Sequence, residues 1–380
     1  MVNKRDTQYL LLTPGPLTTT RTVREAMMHE FSTWDVDYNR IVQSIRERLV
    51  GLATCDSANL GTYTATLMPG GGTFVVESVI GSVIPPNGRL LVLNNGAYGA
   101  RITTISRMLG IDTVELGQAE IESTDLGQVE QMLAGDPAIT HVAMVHCETT
   151  TGMLNPVEAV GEIVHRHGRE FILDAMSSFG GIPMSMESTG AQYLISSANK
   201  CVQGVPGFGF VVADRATLEA TKGRARSHSL DLFDQWREME TKGGKWRFTS
   251  PTHVVSAFAA ALDELEAEGG IEVRHMRYVA NQRTMVEGMR EMGFRTLIGD
   301  EVQSPIITSF YYPDAAEFEF QKFYDALKSR GYVIYPGKVS HAQCFRIGSI
   351  GDVHPADMTE LIGHILEVLE TMGVSFVVVS

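Results

Sequence analysis

Long apolar runs, paired cysteines and an excess of basic residues are all missing from this chain of 380 residues. No segment reaches the ~18 consecutive apolar residues of a membrane-spanning helix. The first apolar run ends at Thr13-Pro14, too early for the core of a signal peptide. The four cysteines are scattered and form no C-x-x-C pair, which argues against a disulfide framework and a zinc site. We therefore expect reduced thiols in a cytoplasmic protein.

Basic residues are outnumbered by acidic ones, 31 against 45, and the formal net charge is -14. An acidic surface repels phosphate backbones, so nucleic-acid binding is not expected as the main function. A small anionic substrate stays possible, because a few buried arginines can make one site locally positive. Hydrophobic residues at 44% and charged residues at 20% are ordinary for a folded protein.

Several well-known motifs are also absent from the sequence. The glycines Gly70–Gly72 match neither a G-x-G-x-x-G fingerprint nor a Walker loop, since no Gly-Lys-Ser/Thr follows them. Ser177 and Ser178 lack the G-x-S-x-G elbow of hydrolases. No histidine has an acidic or cysteine partner at the spacing of a metal site, so we predict none.

Short apolar runs alternate with helical patterns of about ten residues over most of the chain, which is typical of βαβ units and a mainly parallel sheet. The runs are apolar throughout, as expected of strands covered on both faces. The main runs are Tyr63–Met68, Arg89–Leu93, His141–His146, Phe171–Asp174, Tyr193–Ser196 and Phe208–Val212. After about residue 255 the pattern changes. We predict an α/β fold with a large domain at 21–255, a smaller α+β domain at 256–380 and an N-terminal segment at 1–20.

Two charged residues follow apolar strands near the middle of the chain. Asp174 ends one strand, and Lys200 comes just after another, among small residues. Ligands of open α/β sheets bind beyond the carboxyl ends of strands, so both residues are expected near a site. A lysine there can bind a cofactor covalently, and the ring nitrogen of pyridoxal phosphate would supply a cation for Asp174. The simpler alternative is a turn cap at Asp174 and a solvated loop lysine at Lys200.

Other candidates lie in turns that follow other strands. Gly70–Gly72, ahead of a helix at Thr73, outline a phosphate cradle, because a helix N-terminus favours an anion. Tyr98 lies in a loop and can stack on an aromatic cofactor, and Thr149 can bond a ring hydroxyl. Each feature also has a structural interpretation, as a tight turn, a packed loop tyrosine or a threonine-capped turn.

Two candidates come from the second half of the chain. Thr249 leads into a helix and could reach a phosphate across a dimer interface. Arg346 interrupts an apolar strand, where an arginine usually pairs with a carboxylate. That carboxylate belongs either to the protein or to a substrate.

Taken in order, these residues resemble the class V aminotransferases, a group of fold-type I pyridoxal phosphate enzymes. The Asp…Lys pair is shared by many related enzymes, whereas the surroundings of Lys200 and the run Trp246–His253 are more specific. The segments that carry the resemblance are 10–18, 95–101, 144–156, 174–183, 196–201, 245–253 and 335–340.

The resemblance implies a large domain with a seven-stranded, mainly parallel sheet between helices, pyridoxal 5'-phosphate as cofactor, and a homodimer with shared active sites. Within the group it is nearest to members that transfer the amino group of 2-aminoethylphosphonate to pyruvate, giving phosphonoacetaldehyde and L-alanine. An enzyme acting on alanine and glyoxylate, or on serine and pyruvate, would use the same cofactor residues.

The resemblance also implies roles for individual residues. Lys200 would bind the cofactor and move protons, and Asp174 would keep the ring nitrogen protonated. Arg346 would bind the carboxylate of pyruvate or alanine, with Gly15 and Pro16 of the N-terminal segment beside the substrate. The other residues implied at the cofactor are Gly71, Gly72, Thr73, Tyr98, Thr149, Met176, Asn199, Trp246 and Thr249 of the partner subunit.

One residue departs from the family pattern, and several alternatives stay open. The cradle usually carries a serine where this chain has Gly71, which removes a hydroxyl donor. A cysteine desulfurase is disfavoured, since that branch stacks a histidine where this chain has Tyr98. A catalytically silent pyridoxal phosphate-fold protein or a nucleotide binder would be non-enzymatic alternatives. The candidates for binding a phosphonate group, without preference, are Arg21, Arg24, Arg101 and Lys338.

Overall fold

The fold is that of a computed structural model, which describes residues 7–337, 339 and 342–374. The strands are β1 (Leu10–Leu11), β2 (Tyr63–Pro69), β3 (Arg89–Asn94), β4 (Asp112–Gly117), β5 (Ile139–Val145), β6 (Cys147–Glu148), β7 (Met153–Leu154), β8 (Glu170–Asp174), β9 (Tyr193–Ser197), β10 (Phe208–Asp214), β11 (Ile307–Tyr311), β12 (Tyr332–Val333), β13 (Tyr335–Pro336) and β14 (Cys344–Gly348).

Helices connect most of these strands. They are α1 (Arg21–Ala26), α2 (Val36–Ala53), α3 (Gly72–Val83), α4 (Ala97–Met108), α5 (Leu126–Gly135), α6 (Val157–Arg166), α7 (Met186–Thr189), α8 (Arg215–Glu219), α9 (Leu232–Thr241), α10 (Thr252–Glu268), α11 (Gly270–Glu291), α12 (Phe320–Ser329) and α13 (Pro355–Met372). None of them, within the described ranges, has both the length and the apolar character needed to cross a membrane.

A seven-stranded sheet forms the centre of the molecule, in the order β2-β10-β9-β8-β5-β3-β4. Strand β10 runs antiparallel to both of its neighbours, and the other pairs are parallel. Successive side chains of β3 enter two different apolar cores, Leu91 on one face and Leu90 and Val92 on the other. Both faces are therefore covered, and the predicted α/β fold with a mainly parallel sheet is confirmed.

The six predicted strands of this sheet are present within two residues at each end, but β4 was not predicted. Strand β4 lies at the edge of the sheet and is mostly half-buried or exposed. Its sequence therefore mixes polar and apolar residues and lacks the continuous apolar run by which the buried strands were found.

The C-terminal part has its own core, built from the antiparallel sheet β11-β14-β13 and helices α11, α12 and α13. The N-terminal strand β1 pairs in parallel with β12, and Leu10 and Leu12 are buried in that same core. Helix α10 instead contributes Val255 and Phe258 to the core of the central sheet. Strands β12 and β13 are separated only by Ile334. The domain boundaries at 20 and 255 stay predictions.

Candidate active site

A cavity of about 250 Å³ lies beyond the carboxyl ends of the central strands, near the lower end of the ~300–1,000 Å³ range of small-molecule sites. It combines glycines, one aromatic ring, two cationic side chains and one carboxyl group. The lining residues are Pro16, Gly71, Gly72, Thr73, Val76, Tyr98, Arg101, Ile102, Asp174, Met176, Ser197, Asn199, Lys200 and Pro206.

Lys200 lies in the turn after β9, and its amine is enclosed. The amine Nζ donates a hydrogen bond to the carbonyl oxygen of Pro14 at 2.6 Å, and a Cβ atom on Gly15 would lie 2.9 Å from Nζ. Burial lowers the pKa of the Lys200 amine, although the nearby Asp174 carboxylate favours its charged form. A lowered pKa increases the neutral, nucleophilic fraction. Lys200 is therefore not a solvated loop lysine.

Asp174 ends β8, and its carboxyl group borders the cavity. One oxygen accepts a hydrogen bond from the backbone N–H of Met176 at 2.9 Å, so the residue does cap the following turn. Burial raises the pKa of Asp174 to about 6, against the opposing effects of that N–H group and of the Lys200 and Arg101 charges. Within the described ranges no basic side chain forms an ion pair with it. A carboxylate buried in this way favours a cationic group bound beside it.

The turn between β2 and α3 is built from glycine for reasons of space. A Cβ atom on Gly72 would lie 2.5 Å from the sulfur of Met176, so a larger residue would displace that side chain. Gly71 is the N-cap of α3 but offers no side-chain acceptor, and a Cβ atom there would have nothing within 4 Å. The first N–H groups of α3 therefore face the cavity without a side-chain cap, which suits an anion.

Arg101 adds positive charge at this end of the cavity. Its guanidinium donates to the hydroxyl of Thr73 at 3.1 Å and lies 4.9 Å from the centre of the Tyr98 ring. The guanidinium, the Tyr98 ring and the N-terminus of α3 thus meet on one side of the cavity. Such a group favours an anionic ligand with an aromatic portion.

Glu148 holds the start of α4, where Tyr98 is located. One carboxyl oxygen accepts the backbone N–H groups of Tyr98 at 2.8 Å and Gly99 at 3.0 Å, and the other accepts the hydroxyl of Thr150 at 3.1 Å. Burial raises the pKa of Glu148 to about 7, while these donors lower it. Of this turn, only a threonine was predicted to belong to the site. Like Asp174, Glu148 is an acidic residue directly after an apolar strand, and that signal could have identified it.

Thr149 and Arg346 meet beside the cavity but do not line it. Arg346 donates to the backbone carbonyls of Thr149 at 2.7 Å and Pro336 at 3.0 Å. It is 2% exposed, and in the described part of the chain no carboxylate pairs with it. The hydroxyl of Thr149 is buried without a hydrogen-bond partner among the described residues. Both side chains thus have unused capacity for polar contacts.

The run Trp246–His253 contributes nothing to the lining of the cavity. Trp246 is buried in the core of the central sheet, edge-on to Phe208 with ring centres 6.1 Å apart. Thr249 is exposed on the surface. Asn199 lines the cavity and accepts the hydroxyl of Ser197 at 3.1 Å.

Four lining residues were not predicted: Val76, Ile102, Ser197 and Pro206. Val76 and Ile102 lie one helical turn after Gly72 and Tyr98, which were predicted. Residues four apart share a face of a helix, so this spacing could have identified both.

Together the doubly covered sheet, the enclosed lysine and the buried aspartate define an enzyme of the aminotransferase type. The family model of class-V aminotransferases matches residues 62–341, and the chain belongs to that family. The predicted family and the fold-type I architecture are therefore confirmed. This family implies pyridoxal phosphate as cofactor.

Close relatives sharpen the comparison. The chain is 59% identical over 359 residues to the 2-aminoethylphosphonate–pyruvate transaminase of Vibrio vulnificus, which covers 94% of this chain and 97% of that protein. It is 57% identical over 365 residues to the protein of that name from Syntrophobacter fumaroxidans, and the match covers 96% of this chain and 97% of that protein.

Solved structures show the same fold at low sequence identity. Ureidoglycine–glyoxylate aminotransferase from Bacillus subtilis superposes with a TM-score of 0.89 at 21% identity, covering 97% of this chain and 95% of that one. Pyridoxamine–pyruvate aminotransferase from Mesorhizobium loti superposes with a TM-score of 0.87 at 22% identity, covering 97% of this chain and 94% of that one.

Proposed function

We propose that this protein is a pyridoxal 5'-phosphate-dependent aminotransferase that moves the amino group of 2-aminoethylphosphonate to pyruvate, giving phosphonoacetaldehyde and L-alanine. The central observation is that one cavity holds an enclosed amine, Lys200, and a buried carboxyl, Asp174. The substrates are those in the names of relatives at 57–59% identity.

The cavity fits the cofactor part by part. The Asp174 carboxylate would bind the ring nitrogen, and the Lys200 amine would bond to the aldehyde carbon. The Tyr98 ring would stack on the face of the cofactor ring. The orphaned hydroxyl of Thr149, which lies beside the cavity and outside its lining, would bond the ring hydroxyl. The N–H groups of Gly71 and Gly72 and the Thr73 hydroxyl, at the start of α3, would hold the phosphate. Met176 and Asn199 complete the wall.

When bound, the cofactor supplies an electron-withdrawing ring that takes up the negative charge developing beside the substrate nitrogen. Asp174 favours the protonated ring nitrogen, because no basic side chain in the described ranges forms an ion pair with its carboxylate. The free amine of Lys200 would accept the proton from the amine-bearing carbon of the substrate and would deliver it to the C4′ carbon of the cofactor. The Pro14 carbonyl orients that amine, and Gly15 and Pro16 shield it from water.

Arg346 is the proposed partner of the pyruvate carboxylate. Its guanidinium is buried and already fixed by two backbone carbonyls, so little rotational freedom is lost on binding. The phosphonate of the amino donor needs a different cation. Of the candidates, Arg101 lines the cavity, whereas Arg21 pairs with Glu25 on the surface.

The other phosphonate candidates are placed less favourably. Arg24 donates to the carbonyl of Thr19, and Lys338 lies outside the described residues. Arg101 lines the cavity, but its bond to Thr73 places it at the proposed site of the cofactor phosphate, so we assign none of these candidates to the phosphonate.

We also propose a homodimer in which Thr249 of the partner subunit completes the phosphate site. Thr249 is exposed and does not line the cavity of its own chain. Large apolar groups are exposed beside it: Phe248 is 46% exposed and Trp34 81%, and Lys245 lies 4.6 Å from the Trp34 ring centre. Burial of such groups against a second copy would remove apolar surface from water.

Mixing two inactive variants tests the shared site. Lys200→Ala removes the amine, and Thr249→Glu would repel the phosphate in the neighbouring subunit. If the sites are shared, a mixed dimer contains one site without either change, and activity should reappear on mixing. A mixture as inactive as its components, or a monomer by light scattering, would contradict the dimeric site.

We further place the protein in the cytoplasm, because Cys147 and Cys201 are buried free thiols. The proposed activity is tested by offering 2-aminoethylphosphonate, L-alanine and L-serine as amino donors, each with pyruvate or glyoxylate, and measuring the new amino acid. The fastest reaction should be 2-aminoethylphosphonate with pyruvate. A faster reaction of alanine with glyoxylate, or of serine with pyruvate, would contradict the proposal.

A further inference from the structure

We propose that Glu148 is a positioning residue that fixes the Tyr98 ring and the Arg346 guanidinium relative to each other through one buried turn, 148–152. The inference rests on the proposed function, in which Tyr98 contacts the cofactor and Arg346 the carboxylate of pyruvate. Glu148 itself lines no part of the cavity and would touch neither ligand.

On one side, Glu148 caps a helix that belongs to a different part of the sequence. Helix α4 starts after Gly96, which provides no side-chain cap. Glu148 supplies the acceptor instead, because its carboxylate accepts hydrogen bonds from the backbone N–H groups of Tyr98 and Gly99. A Cβ atom on Gly96 would lie 2.5 Å from the Glu148 carboxylate, so the helix start is shaped around this group. A carboxylate at a helix N-terminus is favoured by the hydrogen bonds and by the helix dipole.

On the other side, the turn that begins with Glu148 holds the C-terminal domain. The Thr149 carbonyl accepts the Arg346 guanidinium at 2.7 Å, and the Thr150 carbonyl accepts the Ser309 hydroxyl at 3.3 Å. The turn is closed by a hydrogen bond from the N–H of Gly152 to the Glu148 carbonyl at 2.8 Å. A movement of the turn would therefore shift Tyr98 and Arg346 together.

The chemistry of Glu148 supports more than a space-filling role. The residue is fully buried, and burial of a carboxyl is unfavourable unless hydrogen bonds compensate for the lost water. Its hydrogen-bond donors among the described residues come from the helix start, Tyr98 and Gly99, and from its own turn, Thr150. An apolar side chain of similar volume would fill the space but would connect neither element.

The test uses Glu148→Ala and Glu148→Gln with Glu187→Ala as the matched control. Glu187 also accepts hydrogen bonds from a distant segment, Cys55 and Asn59, but it lies at another cavity. Two quantities are measured: the Kd of pyridoxal phosphate, by spectroscopic titration of cofactor-free protein, and the KM of pyruvate. The melting temperature of each variant records the structural effect alone.

We expect Glu148→Ala to weaken cofactor binding and to raise the KM of pyruvate, each by about 10-fold, the effect of losing one to two hydrogen bonds. Glu148→Gln should restore both to within about 3-fold of the wild type, because the amide oxygen still accepts both N–H groups. Glu187→Ala should lower the melting temperature and change neither quantity. If Glu148→Ala does not fold, Glu148→Asp, whose carboxylate is one methylene shorter, should change both quantities in the same direction.

Two results would overturn the inference. A Glu148 variant that only melts earlier would be a helix-cap variant with no positioning role. A change in only one of the two quantities would show that the turn does not couple the two side chains. Neither measurement requires 2-aminoethylphosphonate, because pyruvate can be assayed with any amino donor the enzyme accepts. Failure of the proposed donor is therefore distinguishable from failure of this inference.

Discussion

The two ends of the cavity differ in how their charged and polar groups are exposed to water. At the buried end, Asp174 is buried and the half-buried Lys200 has its amine hydrogen-bonded to the Pro14 carbonyl, and burial shifts the pKa of each toward its neutral form. At the open end, Gly71 and Thr73 are exposed and Arg101 is half-buried. The buried end depends on individual side chains held out of water, whereas the open end offers several backbone N–H groups at once. Single substitutions should therefore have large effects at the buried end and small ones at the open end.

Removal of the amine at the buried end should have the largest effect. Lys200→Ala is expected to lower kcat/KM by at least ~10³-fold, because the group that moves the proton is lost. The measurement is the initial rate of alanine formation, with Lys242→Ala as a control, since Lys242 is an exposed lysine paired with Glu238. If the Lys200→Ala variant kept a tenth of the wild-type rate, Lys200 would not be the group that moves the proton.

A substitution of Arg346 should have an effect as large as one at the buried end, although Arg346 comes from β14, in the C-terminal part of the chain. Arg346→Ala is expected to weaken pyruvate binding by ~2–5 kcal/mol, the usual cost of breaking a charge pair in a dry site. The KM of pyruvate reports this loss, and the Kd of the cofactor should change much less. An unchanged KM would contradict the assignment of Arg346 to the carboxylate.

Asp174 should make the stability of the cofactor-free protein depend on pH. Because burial raises its pKa from 3.8 to about 6, the folded state holds the proton more tightly than the unfolded state. This contribution to stability is fully present below the unfolded pKa and is lost as the pH rises through about 6. Asp174→Asn cannot ionise, so it should gain stability relative to the wild type by on the order of 1–3 kcal/mol between about pH 4 and pH 7.

The check is a melting curve of both cofactor-free proteins across that pH range. The two melting temperatures should diverge as the pH rises, and bound pyridoxal phosphate should reduce the difference by supplying a cation. Parallel curves would show that Asp174 is not desolvated.

The smallest effect is expected at the open end. Gly71→Ser adds a hydroxyl where the cradle lacks one, and the backbone there, at φ -77°, accepts any residue. A serine N-cap in place of glycine is worth only a few tenths of a kcal/mol to helix stability. We expect a slightly more stable protein and a Kd for the cofactor lowered by a few-fold. Weaker cofactor binding would show that Gly71 is needed for close approach.

The parts of the site that sequence could predict are those set by local position. Asp174, Lys200 and Gly72 follow apolar strands, and the ends of parallel strands meet at one edge of a sheet. Their convergence on one cavity therefore follows from the order of strands and helices. The strand pattern itself was readable because both faces of the sheet are buried, except at the half-exposed edge strand β4.

The remaining features depend on tertiary packing. Trp246 occupies the core because α10 packs on the central sheet, and no local pattern distinguishes such a ring from one at a ligand. The contact of Arg346 with Thr149 joins residues 197 positions apart. The pairing of β1 with β12 likewise places the N-terminal segment in the C-terminal core. Spacing along the chain contains no information about such contacts.

The central claim is that the amine of Lys200 binds pyridoxal phosphate, and chemical trapping tests it most directly. The purified protein is incubated with the cofactor, reduced with borohydride, digested and analysed by mass spectrometry. We expect one modified peptide, with the added mass on Lys200, and no modification when an amino donor is added before reduction. Modification of another lysine, or no modification in a folded protein, would contradict it.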